Sequence, residues 1–279
     1  MGDTIRLTAR IPSSGEELSR VGLGTYRCFD IGKERARRGE LESVLKAFVE
    51  RGGSLIDSSP MYGSSDRVVG ELSETAGLNS RLFMATKVWI SGREEGVGQM
   101  NESLALFRRK KIELMQIHNL VDWKTHLQTL RRWKEEGRVR YIGITHYSSH
   151  AFGEMEQILK REPVDFIQVP YSLCETAAEG SLIPAAAHRG VAVIANEPFA
   201  QGALFRATKG KALPAWTREM GVNSWAQYFL KFILASKDVQ FVIPATGSLA
   251  HLKENMQALQ GIIPDKEQRE RMRSGFAAL

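Results

Sequence analysis

Cysteine is almost absent: the 279 residues contain two, Cys28 and Cys174. Two thiols so far apart make neither a disulfide framework nor a metal-ligand spacing, so both read as reduced side chains in a reducing compartment. No apolar run nears the roughly 20 residues of a membrane-spanning helix, and no signal-peptide pattern opens the chain. The expected location is therefore the cytoplasm, with no membrane partner. Linkers, low-complexity tracts and composition breaks are missing too, so a single domain over residues 1–279 is expected. No pair of His or carboxylate side chains stands at metal-ligand spacing on a strand tip, which leaves no metal to expect. The net charge of +6 is scattered except for Arg108 to Lys111. That run ends a helical pattern, where cations suit the helix dipole, and it lacks the interleaved aromatics of a nucleic-acid site. A mild positive field suits an anionic small ligand instead.

What is present is a chain 43% apolar and 25% charged, with ample material for a globular core. Short apolar runs alternate with segments of helical period. The predicted strands are 21–24, 54–57, 82–86, 114–117, 140–144, 166–169, 191–195 and 241–243. The predicted helices fall near 38–51, 65–76, 94–108, 124–136, 149–160, 179–189, 222–236 and 248–259. Strands apolar on both faces, alternating with helices, argue for a parallel sheet in an α/β fold. Eight such units argue for closure into a (β/α)8 TIM barrel. A doubly wound sheet is the alternative, but the G-x-G-x-x-G that its dinucleotide-binding form carries after the first strand is missing. Ile5 to Arg20 reads as an N-terminal β-hairpin cap, and 264–277 as an extra C-terminal helix. The longest connection, Asn196 to Asn223, is the one expected to be functional or mobile.

A barrel of this kind carries its chemistry at the C-terminal tips of its strands. Residues 54–64 read SLIDSSPMYGS, an apolar strand that ends in Asp57 and turns through Tyr62 before Ser64 or Ser65 caps a helix. Lys87 follows the third strand and His118 ends the fourth. Each has an ordinary explanation on its own: a turn, a snorkeling cation, a satisfied core histidine. Together they bring an acid, a phenol, an ammonium and an imidazole to one face.

The chain strongly resembles the aldo-keto reductases. The motifs that carry the resemblance are Gly22-Leu23-Gly24-Thr25, LIDSSPMYG, ATKVW, ELMQIHN, GRVRYIGIT, FIQVPYS and VIPATGSLAHLKEN, in the family's order and spacing. The resemblance implies that Asp57, Tyr62, Lys87 and His118 are the catalytic residues of NAD(P)H-dependent reduction of a small-molecule carbonyl substrate. Tyr62 would donate the proton, with its pKa lowered by Lys87; Asp57 would hold Lys87, and His118 would orient the carbonyl oxygen. It further implies a dinucleotide across the barrel mouth. Gly24, Thr25, Tyr26, Asp57, Thr145, His146, Gln168 and Asn196 would lie at its nicotinamide end. Glu197, Pro198, Phe199, Gln201, Gly202 and Leu204 would run along the pyrophosphate. Ala245, Thr246, Gly247, Ser248, His251, Glu254 and Asn255 would meet the adenosine. His146 and Asn196 depart from the family's Asn and stacking aromatic. Ala245 and His251 replace its basic pair, with Lys253 nearby, so NADPH is expected and NADH is the alternative. Tyr26, Trp89, Trp123 and Phe199 would wall a wide substrate pocket.

A short-loop monomer or weak oligomer is the expected form. Two other readings stay open: a cofactor-binding regulatory or sensory barrel with little turnover, and a metal-dependent hydrolase on the same fold.

Overall fold

The computed structural model describes residues 8–279. A hairpin of β1 (Thr8–Arg10) and β2 (Glu17–Ser19) comes first, paired antiparallel. Residues 5–7 of the predicted hairpin lie outside the described residues. Eight parallel strands follow in sequence order: β3 (Leu23–Gly24), β4 (Leu55–Asp57), β5 (Phe83–Val88), β6 (Ile112–His118), β7 (Val139–Thr145), β8 (Phe166–Pro170), β9 (Ala192–Asn196) and β10 (Phe241–Val242). The sheet closes on itself where Gly22 N donates to Val242 O at 2.9 Å and Gly24 N to Pro244 O at 3.1 Å. The architecture is a (β/α)8 barrel.

Helices α1 (Arg35–Glu50), α2 (Ser65–Thr75), α3 (Arg93–Leu106) and α4 (Trp123–Glu135) follow β3 to β6 in turn. Helices α5 (Phe152–Arg161) and α6 (Leu182–His188) follow β7 and β8. After β9 the long connection folds into the short α7 (Ala203–Ala207) before α8 (Trp225–Leu234). Helix α9 (Leu249–Gln257) follows β10, and the extra C-terminal helix is α10 (Lys266–Ala277), opened by a capping box of Asp265 and Gln268.

Two apolar cores follow from the period-two alternation of strands, which sends successive side chains to opposite faces. The larger lies between the strands and the helical ring. The smaller fills the barrel's N-terminal half with Leu55, Phe83, Leu114, Tyr141, Phe166, Ile194 and Phe241, and the hairpin plugs it with Ile11 and Leu18. The Tyr141 hydroxyl ties that plug to the wall, 2.7 Å from both Ser14 Oγ and Glu16 Oε2.

The two arginines of the basic run are held by ion pairs rather than by a helix end. Arg108 follows α3 in a left-handed conformation and reaches Glu74 at 3.1 Å. Arg109 lies among Glu113, Asn79 and the Leu82 carbonyl. The expected Ser64 cap is also different: Ser64 stands at the N-cap of α2, but its hydroxyl donates to Asp30 Oδ1 at 2.8 Å.

Gly70, in the middle of α2, is where two helices touch. Replacing a mid-helix Gly by Ala ordinarily stabilises by about 1 kcal/mol. Here an added Cβ would meet the Leu106 carbonyl oxygen at 2.0 Å and Phe107 Cα at 2.8 Å. Overpacking costs about 1–3 kcal/mol and outweighs the helix gain. Gly70→Ala is therefore expected to lower the midpoint of thermal unfolding; a rise would mean α2 and α3 separate freely.

Candidate active site

Following each inward column from the apolar core to its C-terminal tip changes its chemistry. Leu55 gives way to Asp57, Ala85 to Lys87, and Leu114 to Gln116 and His118. Tyr141 leads through Gly143 to Thr145, Phe166 to Gln168, and Ile194 to Asn196. Gly143 keeps room in this layer, because a Cβ there would lie 3.2 Å from Gln116 Cγ. The result is a polar crown on an apolar plug.

At its centre Lys87 and Asp57 form an ion pair of 2.8 Å, with side chains only 1% and 4% exposed. Lys87 Nζ also donates to the Ser58 carbonyl at 2.7 Å, and Gln116 Nε2 donates to the other Asp57 oxygen at 3.3 Å. Burial works against the ammonium, but the neighbouring Asp57, Tyr62 and Asp66 more than offset it and raise the Lys87 pKa. The charged form is held.

Tyr62 comes from the turn after β4. Tyr62 N donates to Ser59 O at 2.9 Å, and Gly63 turns the chain at φ 59°. Gly63 has little alternative, since a Cβ would lie 2.4 Å from the Asp30 carboxylate that receives Ser64 N. Lys87 Nζ sits 5.2 Å from the Tyr62 ring centre, and the Tyr26 ring lies 4.9 Å from it. Burial raises the phenol's pKa; Lys87 pulls it down without overcoming burial. The expectation of a net lowering is thus corrected: desolvation of the phenolate outweighs the ammonium here.

His118 stands edge-on to Tyr62, ring centres 6.1 Å apart, with Trp89 at 6.2 Å. Burial, then the charge of Lys87 and the nearby His146, pushes its pKa down to about 3. Its ring is neutral at physiological pH. Nδ1 lies 3.0 Å from Ser59 Oγ.

The aromatic residues divide. Tyr26 and Trp89 are exposed beside Tyr62 and His118. Trp89 is fixed through its backbone, whose N–H donates to Gln99 Oε1 at 2.6 Å, and the next carbonyl, Ile90 O, bonds His126 at 2.6 Å. Trp123 instead begins α4, packs on the core and donates its Nε1 to Glu154 at 3.2 Å. Phe199 joins Phe205 and Phe229, with ring centres 4.8 and 6.4 Å away.

On the other side of the crown, Thr145 Oγ1 donates to Gln168 Oε1 at 2.9 Å, and His146 Nδ1 accepts Ser148 N at 3.0 Å. Gln168 Nε2 and Asn196 Oδ1 are buried with no partner among the described residues. One is an unused donor and the other an unused acceptor. Glu197, Ala200 and Gln201 all take positive φ, so the segment after β9 is a chain of tight turns, held by Gln201 donating to Glu197 at 3.0 Å. Pro198 is buried, and the Leu204 side chain is sunk in the core.

A cavity of about 720 Å³ opens at Ala245, Thr246, Gly247, Ser248 and His251, where Ser248 caps α9 by accepting His251 N. Asn255 is buried near it in α9, and Glu254 is half-buried. Lys253 does not line this cavity; Arg37 of α1 does, beside Glu40 at 3.6 Å. Sequence reasoning passed over Arg37, which is remote in the chain from this loop. It also passed over Gln116, although Gln116 precedes His118 by one strand period, and over Ser59, inside the quoted motif.

Several known proteins are similar. Methylglyoxal reductase YeaE from Escherichia coli is 26% identical over 260 residues, covering 90% of this chain and 89% of its own. L-galactose dehydrogenase from Arabidopsis thaliana is 25% identical, covering 88% of this chain and 86% of its own. An aldo/keto reductase from Klebsiella pneumoniae, solved in complex with NADP and acetate, superposes with a TM-score of 0.80 at 22% identity, covering 99% of this chain and 96% of that one. The profile of the Aldo/keto reductase family matches residues 20–274, nearly the whole chain, and the protein belongs to that family.

Proposed function

We propose that this protein reduces aldehydes or ketones to alcohols with a nicotinamide dinucleotide, NADPH in preference to NADH. The observation that carries this reading is the buried Lys87–Asp57 pair beneath Tyr62, with a neutral His118 alongside. The crown suits the nicotinamide carboxamide: Gln168 Nε2 offers a donor to its oxygen and Asn196 Oδ1 an acceptor for its amide protons. Thr145 and His146 adjoin that position. The turns from Glu197 to Gly202 would follow the pyrophosphate, and the cavity at Ala245 to His251 would take the adenosine.

Bound there, the reduced nicotinamide supplies a hydride to the carbonyl carbon. The protein's own residues manage the oxygen. His118 donates a hydrogen bond to it, aligning the carbonyl and stabilising negative charge as it develops. Tyr62 delivers the proton that completes the alcohol. Lys87 stabilises the phenolate that remains, and Asp57 keeps Lys87 charged and in place. Tyr26 and Trp89 offer apolar surface for the substrate.

The deciding experiment combines a dissociation constant for NADPH and NADH with turnover against aromatic, aliphatic and dicarbonyl aldehydes. Tight nucleotide binding without turnover would favour the regulatory or sensory reading.

Tyr62→Phe removes one oxygen and keeps the ring. NADPH affinity should stay near wild type while reduction falls by about 10²–10⁴-fold, the usual weight of general acid catalysis. Retention of more than about a tenth of the turnover would exclude Tyr62 as the proton donor.

Cofactor preference should depend on Arg37. A charge-assisted hydrogen bond contributes about 1.5–3 kcal/mol, or roughly 10–150-fold in affinity. Arg37→Ala should weaken binding of adenosine 2′,5′-bisphosphate and NADPH toward the low end of that range and leave NADH unchanged. Equal loss for NADPH and NADH would remove Arg37 from the 2′-phosphate contact.

The pH profile follows from the shifted groups. An unfolded histidine takes up a proton below about pH 6.5, whereas His118 in the fold waits until about 3. Its contribution to stability is therefore complete above about pH 6.5 and is lost as pH falls toward 3. Tyr62, shifted upward, stays protonated through the neutral range. The kcat for reduction should show no His118 limb between about pH 5 and 8. A limb near neutrality that disappears in His118→Gln would overturn this.

A further inference from the structure

Ser59 is fully buried in the turn that delivers Tyr62. Its Oγ lies 3.0 Å from Nδ1 of His118 and accepts the Met61 backbone N–H at 3.3 Å. A hydroxyl has one proton and two lone pairs. The Met61 amide fills one lone pair, and Nδ1 is the only acceptor within hydrogen-bond distance of the proton among the described residues. A neutral imidazole carries a single N–H. If Nδ1 accepts, that proton sits on Nε2. In the opposite tautomer Nδ1 would donate to Ser59, and the serine proton would be sealed in the interior without a partner, a costly arrangement. His118 Nε2 has no partner among the described residues and is not one of their sealed unpaired atoms, so it is the nitrogen that opens outward.

We propose that Ser59 is a positioning residue for carbonyl reduction: its hydroxyl donates to His118 Nδ1 and holds the ring in the Nε2–H tautomer, the form that donates a hydrogen bond to a substrate's carbonyl oxygen. The proposal rests on the reading of His118 as the carbonyl-binding group. It also explains how a neutral ring is kept productive. A ring with Nε2 bare would present a lone pair to the carbonyl oxygen and repel it. Ser59 acts only through His118 and touches neither substrate nor Tyr62's hydroxyl in this account.

The test is nitrogen-15 NMR of histidine-labelled protein, together with steady-state kinetics. Wild-type His118 should give the Nε2–H pattern in the resting protein. Ser59→Ala should shift His118 toward a tautomer mixture or the Nδ1–H form. Outright loss of one oriented donor lowers kcat by about 10²–10³-fold, and kcat should fall in proportion to the loss of the Nε2–H form, about twofold for an equal mixture and about tenfold where a tenth of that form is left. NADPH affinity should change by less than about twofold, since His118 donates to the substrate and not to the nucleotide. Ser59→Thr, which keeps the hydroxyl, should restore both the tautomer and the rate. An Nδ1–H pattern in the wild type refutes the assignment whatever the turnover, and so does Ser59→Ala with tautomer and kcat unchanged. Wild-type protein that turns over no carbonyl would sink the functional reading instead, a separate result from the NMR one.

Discussion

An ammonium sealed from water is the constraint around which this structure is arranged. Lys87 is among the largest fully buried side chains. An unpaired charge in that position would deprotonate or unfold its surroundings, because desolvation costs several kcal/mol after relaxation. It keeps its proton because three acceptors or charges act on it at once: the Asp57 carboxylate, the Ser58 carbonyl and the nearby Asp66. Removing Asp57 would leave an uncompensated buried cation, a loss of about 3–5 kcal/mol by the usual cost of breaking such a pair. The pair is poor economy as a stabilising device. Its position beneath Tyr62 gives the reason to keep it.

The barrel makes such a cluster feasible by separating two tasks along each strand. The N-terminal inward positions are apolar and plugged by the hairpin, so the fold does not depend on the polar layer for its core. The C-terminal inward positions are then free to be polar, provided they satisfy one another. Most do: Gln116 serves Asp57, Thr145 serves Gln168, and Ser59 serves His118. Among the described residues Gln116 Oε1, Gln168 Nε2 and Asn196 Oδ1 are left over, the last two at neighbouring tips, β8 and β9. Buried polar groups without partners are uncommon in folded proteins, and where they cluster they ask for a ligand of matching donors and acceptors.

The fold was legible because its signals are local and repeated. Eight apolar runs of strand length, each followed by a helical period, overlap the eight barrel strands, with boundaries off by a residue or two where pairing, rather than hydrophobicity, sets the end. The three strand-tip side chains were legible for the same reason, since Asp57, Lys87 and His118 each stand at or near the end of a readable strand. What escaped were relations between distant segments. Nothing local says that Arg37 on α1 shares a cavity with Ser248. Nothing says that Trp123 turns to Glu154, or that Phe199 joins Phe205 and Phe229, because aromatic side chains serve a pocket wall and a packing cluster equally well. The direction of the Tyr62 shift was hidden too, since burial and a neighbouring cation pull a phenol in opposite directions and only geometry weighs them.

The same electrostatics explain why the crown carries one cation rather than two. Burial of the imidazole raises the cost of protonating His118, and the charge of Lys87 adds to it. A second positive ring would compete with Lys87 for Asp57 and would demand its own counterion in a layer that has none to spare. A neutral imidazole avoids that conflict but loses the automatic donor at both nitrogens that an imidazolium has. Its usefulness then depends on which nitrogen carries the proton, a choice that burial and charge leave open. Among the described residues the only group that bonds to either nitrogen is the Ser59 hydroxyl. Thus burial, with the ammonium beside it, holds the histidine neutral, and in the proposed assignment a single hydroxyl on the adjoining turn sets which nitrogen carries its proton.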